Sequence, residues 1–186
     1  VVAGFDLVNN LKAVKNETEI KNTHNAQVKD SCALVGAMQE IYEKLDAGEL
    51  VTEYDVREIL EVYRRHQPLN YGSSFGAIVA YGANAAMMHY NPTKEKCSLI
   101  EKKGFLLIDS GGQYLDGTTD ITRTFVLGNI TEEEKRDFTL VLKGHINLAN
   151  AKFLKGATGG NLDVLARGPL WQYGLDYKLS LIHISE

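Results

Sequence analysis

Between Gly104 and Gly128 the sequence reads GFLLIDSGGQYLDGTTDITRTFVLG, and few folds can accommodate it. Phe105, Leu106, Leu107 and Ile108 form a continuous apolar run of the kind that makes a buried strand. Ile121 to Leu127 mixes β-branched, aromatic and polar residues and predicts a second strand. Asp116-Gly117 between them is a hairpin turn signal. One carboxylate, Asp109, ends the first strand and another, Asp120, opens the second. Burying an ionised carboxylate is costly unless it is paired or binds a metal. A ladder centred on Asp116-Gly117 pairs Asp109 with Thr124, an even offset from Asp120, so both aspartates fall on one face. Bringing them side by side calls for a bulge, which Gly111-Gly112 can supply. Two hard oxygen donors on one hairpin face suit Mg, Mn or a pair of divalent ions. The same residues also fit plain turn chemistry, with Asp109 capping Ser110-Gly111-Gly112 and Asp120 paired with Arg123.

The remaining composition narrows the function classes. At 186 residues the chain suits one domain with a substantial core. A net charge of -4 gives no basic footprint for nucleic acid, and mixed spots such as Glu101-Lys102-Lys103 read as solvated surface. Cys32 and Cys97 lack metal-ligand spacing, so a reduced intracellular thiol pair is expected. No apolar run approaches the length of a membrane span. The opening VVAGFDLVNNLKAVKNE has no basic segment followed by an apolar core, so a soluble, cytoplasmic protein is expected. It also lacks an initiator Met, which points to a start other than the natural one.

Helix signals flank the hairpin. Asn16 with Glu19 predicts a capped helix whose later turns place Leu34, Val35, Met38, Ile41, Tyr42 and Leu45 inward, with Gly48 ending it. Thr52 to Asp55 starts a second helix with Val56, Ile59, Leu60 and Tyr63 inward, stopping before Pro68. Phe75 to Tyr81 is strand-like, and Met87 to Pro92 is a loop or strand end carrying His89. Thr131 to Glu134 caps a third helix expected to bury Phe138, Val141, Leu142, His145, Leu148 and Ala149. Gly156 to Gly160 is a flexible connection, and Leu162 to Tyr173 a fourth, shorter helix. The order describes an α+β domain.

The string IDSGGQYLDGTTDITRTF resembles the metal-binding hairpin of the pita-bread metallopeptidases, the fold of methionine aminopeptidase, proline dipeptidase and aminopeptidase P. The likeness extends to KAVKNETEIKNTHNAQVKDSCAL, SFGAIVAYGANAAMMHYNPT and Val141 to His145, which are written in the aminopeptidase P manner. It runs continuously from about Leu11 to Lys178. The resemblance implies the pita-bread (creatinase/aminopeptidase) catalytic fold and a metal-dependent Xaa-Pro aminopeptidase acting on peptides with proline at the second position. It implies two divalent ions, Mn, with Asp109 binding one and Asp120 bridging both, and His89 as the proton-shuttling histidine. A homodimer is compatible with it; nucleic-acid and membrane partners are not expected. Arg123 would pair with a nearby carboxylate and orient it. His24, His66 and His145 carry no ligand signature.

The chain departs from the pattern after Lys178. The family site uses two Asp, one His and two Glu; only the two Asp are present. Where a His-Gly-x-Gly-His segment is expected, the sequence reads Leu-Ser-Leu-Ile-His-Ile-Ser-Glu, which resembles a translated sequencing adapter. The expected division is therefore 1–15 as the link from a missing N-terminal domain, 16–178 as a partial catalytic domain, and 179–186 as an adapter-derived tail. Such a chain, incomplete at its C-terminus, is expected to be inactive, marginally stable and a weak metal binder. Proline dipeptidase activity on the same fold and a non-catalytic pita-bread binding module are the competing readings. A creatinase-like reaction needs no metal, so the pair of aspartates argues against it.

Overall fold

The computed structural model describes residues 7–177. The expected tail, 179–186, lies outside them, as do the first six residues of the expected link. The described residues divide into two compact units, 7–129 and 130–177.

In the first unit, helix α1 (Leu7–Ala13) precedes α2 (Glu17–Asp46). The start of α2 is fixed by a reciprocal cap: Glu19 N donates to Asn16 Oδ1 at 2.9 Å and Asn16 N to Glu19 Oε2 at 3.0 Å. Its inward stripe is Ala26, Asp30, Ala33, Leu34, Ala37, Met38, Ile41 and Leu45. Val35, expected inward, is 69% exposed, because one step past Leu34 turns it about 100° off that stripe. Strand β1 (Val51–Thr52) leads into α3 (Glu53–Arg65), capped by Thr52 and Asp55, which buries Val56 and Leu60. Strand β2 (Asn70–Ser73) follows, then β3 (Ile78–Tyr81), shorter than the run from Phe75 suggests. A single 3-10 turn, Gly82–Ala86, and a loop then reach β4 (Leu99–Ile100), which pairs antiparallel with β1.

The hairpin supplies β5 (Phe105–Ser110), β6 (Gly112–Tyr114), β7 (Gly117–Thr118) and β8 (Ile121–Val126). Antiparallel β3, β5 and β8 form one sheet with β5 central, and β2, β6 and β7 form another. Leu106, Ile108 and Val79 join Leu34, Met38, Ile41, Val56 and Leu60 in one core between sheet and helices.

The register differs from the expected one. Asp109 lies opposite Thr122 rather than Thr124, and Tyr114 opposite Gly117, so the turn is Leu115-Asp116. One register runs through both strand pairs with no bulge at Gly111-Gly112; the irregularity falls in β2, between Asn70 and Gly72. Long-range contacts explain the shift. Lys29 Nζ donates to Asp116 Oδ1 at 2.6 Å and sits 4.7 Å from the Tyr114 ring centroid. Gly117 packs on α2, where a Cβ would lie 3.0 Å from Ala26 Cβ, so it serves close packing rather than the turn.

In the second unit, α4 (Glu132–Ala149) is capped by Thr131 and Glu134, and α5 (Gly159–Trp171) starts earlier than Leu162. The buried side of α4 is Leu140 and Gly144, not the expected face; Phe138, Val141, Leu142 and His145 are exposed. Gly144 sets this orientation, since a Cβ there would lie 2.1 Å from Ala166 O of α5. Arg167 of α5 pairs with Asp163 and Asp176, both at 2.7 Å. Among the described residues no helix is long and apolar enough to cross a membrane.

Candidate metal centre

Asp109 sits on the central strand between Ile78 of β3 and Thr122 of β8. Asp120 lies two positions before Thr122, which puts it diagonally across from Asp109 on the same face. Asp109 Oδ1 is buried without a hydrogen-bond partner, whereas Asp120 is exposed. A buried carboxylate oxygen is rarely left unsatisfied, so this atom asks for a donor or a cation. Thr122, Thr124 and Val126 on the same face of β8 are exposed, leaving the approach open. Asp109 Oδ1 caps no turn. Arg123 pairs with neither aspartate: it lies opposite Ile108, on the other face, and donates to Thr122 O at 2.7 Å.

The hairpin around the pair is tightly fixed. Thr119, fully buried, donates from its N to Gly112 O at 2.9 Å and accepts Gly112 N on Oγ1 at 2.8 Å. Ser74 Oγ donates to Thr119 O at 2.8 Å, and Ser74 N to Gly111 O at 3.0 Å. A Cβ on Gly111 would lie 2.0 Å from Thr119 O, so only glycine admits this crossing beside Asp120.

Behind the sheet, Arg64 donates to Asp30 through Nε at 2.8 Å and Nη2 at 2.9 Å, and from Nη2 to Ser110 Oγ at 3.0 Å. Tyr114 OH donates to Asp30 Oδ1 at 3.0 Å. Burial, with the Asp30 carboxylate beside it, pushes the Tyr114 phenol well above its ordinary pKa. Both Arg64 and Asp30 are fully buried, and Arg64 Nη1 has no partner. Sequence reading missed this network, although a signal exists. Asp30 occupies a core position four residues after Ala26, as Arg64 does four after Leu60.

His89 is exposed, with a left-handed backbone of φ 53°. Strand β3 runs from Ile78, opposite Asp109, to Tyr81, opposite Leu106, so it leaves the sheet away from the carboxylates before the chain reaches His89. The loop is tied down by a second missed residue, the fully buried Glu53. Its carboxylate accepts from Tyr81 N at 2.6 Å, Ser98 N at 2.7 Å, Tyr90 OH at 2.7 Å and Asn84 Nδ2 at 3.0 Å. The Tyr90 hydroxyl is pushed up to about 12 by burial and then by Glu53.

Asp109 and Asp120 supply hard oxygen donors on one face, one of them unsatisfied, and so fit a divalent cation. Among the described residues no three His, Cys, Asp or Glu side chains gather into a complete site.

Two carboxylates on one face of a fixed hairpin, one with an unsatisfied buried oxygen, define a candidate divalent-metal-binding protein. A sequence profile of metallopeptidase family M24 matches residues 23–184, and the chain belongs to that family. It is 45% identical over 168 residues to a protein named probable Xaa-Pro aminopeptidase P from Laccaria bicolor, covering 90% of this chain and 26% of that one. A crystal structure of X-prolyl aminopeptidase from Caenorhabditis elegans, described as a cytosolic enzyme with a di-nuclear active site, is similar with a TM-score of 0.84. Identity is 40%, over 92% of this chain and 28% of that one. A prolidase from Pyrococcus furiosus has a TM-score of 0.74 at 27% identity, over 91% of this chain and 47% of its own. The chain thus has the α+β pita-bread fold over part of its relatives' length, and spans only 26% of the curated relative from Laccaria bicolor.

Proposed function

We propose that the full-length protein is a metal-dependent aminopeptidase that hydrolyses the bond between an N-terminal residue and a following proline. The observation that carries this reading is the unpartnered Asp109 Oδ1 on the face shared with Asp120, in a chain of this family. The names of the Laccaria and Caenorhabditis relatives support the substrate class, peptides with proline second. The di-nuclear site described for the Caenorhabditis enzyme supports two divalent ions, which we assign as Mn, and its cytosolic description supports a cytoplasmic location.

Asp109 would hold one ion, and Asp120, exposed at the mouth of β8, would bridge the two. Bound there, the ions would supply Lewis acidity to the scissile carbonyl and lower the pKa of the attacking water. The chain's own contribution is positional: Thr119 and Gly111 lock the hairpin so that both carboxylates keep one face. His89 is exposed, and its assignment rests on the family resemblance alone, since β3 leads its loop away from the carboxylates; brought to the site, it would donate to the developing oxyanion or pass a proton to the leaving proline nitrogen. A second reading, cleavage restricted to dipeptides, draws on the likeness to the Pyrococcus prolidase.

In the full-length protein with Mn, an Xaa-Pro-Xaa tripeptide should be cut after its first residue, and Asp109→Asn should abolish the reaction. Cleavage of Xaa-Pro dipeptides alone would favour the second reading, and no cleavage of either would sink both. In the present chain, paramagnetic Mn should broaden the amide signals of Asp109 and Asp120 weakly and together.

A further inference from the structure

We propose that Glu53 is the positioning residue for His89, acting through the hydroxyl of Tyr90. The proposal deepens the reading of His89 as a proton carrier and rests on it. Three observations converge. First, Glu53 gathers both ends of one loop: Tyr81 N and Asn84 Nδ2 from its start, Tyr90 OH and Ser98 N from its far side. Second, Tyr90 is buried at 8% exposure while its neighbours Met87, Met88 and His89 are all exposed. Its hydroxyl also accepts from Asn84 Nδ2 at 3.1 Å, so the anchor is held from two sides. Third, His89, the residue next to that anchor, adopts φ 53°, a left-handed backbone uncommon outside glycine, so the chain turns sharply beside the tethered tyrosine.

The arrangement presents one imidazole outward from a fixed point. Glu53 opens α3 directly after β1 and, fully buried, accepts charge-assisted bonds, so the anchor is stiff at its base. The juxtaposition is invisible locally, since Tyr90 lies 37 residues from Glu53.

Tyr90→Phe removes the hydroxyl and keeps the ring. By nuclear magnetic resonance of the present chain, the His89 amide and ring signals should move while the Asp109 amide stays in place. In the full-length protein with Mn, kcat should fall about tenfold to a hundredfold with KM within about twofold, the pattern of a displaced catalytic group. Glu53→Gln should act in the same direction. Unchanged His89 signals and unchanged kcat in Tyr90→Phe would overturn the proposal. Should Tyr90→Phe fail to fold, the unsubstituted chain decides. It must show a slowly exchanging Tyr90 hydroxyl proton and left-handed backbone shifts at His89, and lack of either overturns the proposal. Full activity of His89→Ala would overturn the role of His89 itself, a failure separate from loss of the tether.

Discussion

Replacing Asp30 by Ala tests what holds the hairpin against the helices. The change removes the acceptor of Arg64 Nε and Nη2, at 2.8 and 2.9 Å, and of Tyr114 OH at 3.0 Å. Arg64 would remain fully buried, with Nη1 already unpartnered and only Ser110 Oγ left to Nη2. Stranding one member of a buried ion pair costs about 3–5 kcal/mol. Whole domains hold only about 5–15 kcal/mol, so the loss is a large share of the total. At about 4 kcal/mol, amide exchange through global opening should quicken about a thousandfold. The amides of Leu106 and Ile108, on the central strand, are the place to measure it. Removing both charges together, as Asp30→Leu with Arg64→Met, should recover part of the stability, because no buried charge is then stranded, while Tyr114 OH and Ser110 Oγ still lose their partners. Exchange within threefold of the parent for Asp30→Ala, or a double variant as fast as the single one, would refute the reasoning.

Three further outcomes are expected. Gly111→Ala drives a methyl into Thr119 O and Ser74 Oγ and should cost about 1–3 kcal/mol, with amide shifts at Thr119 and Asp120; an unchanged melting midpoint argues against it. Gly144→Ala should part α4 from α5 at a similar cost of about 1–3 kcal/mol, read by fluorescence of the single Trp171 at the end of α5. Tyr90 and Tyr114 hold their protons more tightly folded than unfolded, so their stabilisation is full below the ordinary tyrosine value of about 10. It is lost as pH rises towards about 12 and beyond, so these phenols should ionise late and together with unfolding. Smooth titration of every tyrosine near 10, followed by tyrosinate absorbance, would contradict this.

Local chemistry was legible in the sequence. The caps at Asn16, Thr52 and Thr131 open helices at the expected residues, because each cap is made within three residues of its partner. The shared face of Asp109 and Asp120 was legible too, since it depends only on an even count along paired strands. The register itself was not, because Lys29 selects it from 87 residues away and Gly117 is taken by α2. The inward face of α4 escaped for a related reason: a glycine defines it, and hydrophobic periodicity gives glycine no weight. Asp30, Arg64 and Glu53 were missed, although each is a charge at a position in step with its helix's buried residues. Their partners, 28 to 84 residues distant, are a property of the tertiary fold.

The single register that runs from Asp109 through the Leu115-Asp116 turn makes the hairpin sensitive to the parity of its length. Insertion or deletion of two residues at the tip would lengthen or shorten both strands alike and leave the two carboxylates on a common side. A change of one residue, unless absorbed in the loop, would rotate one strand by a half-pleat and send Asp120 to the opposite surface. Variation in the tip of this hairpin should therefore come in even steps. Single-residue insertion variants should lose the paired Mn broadening that two-residue insertion variants keep.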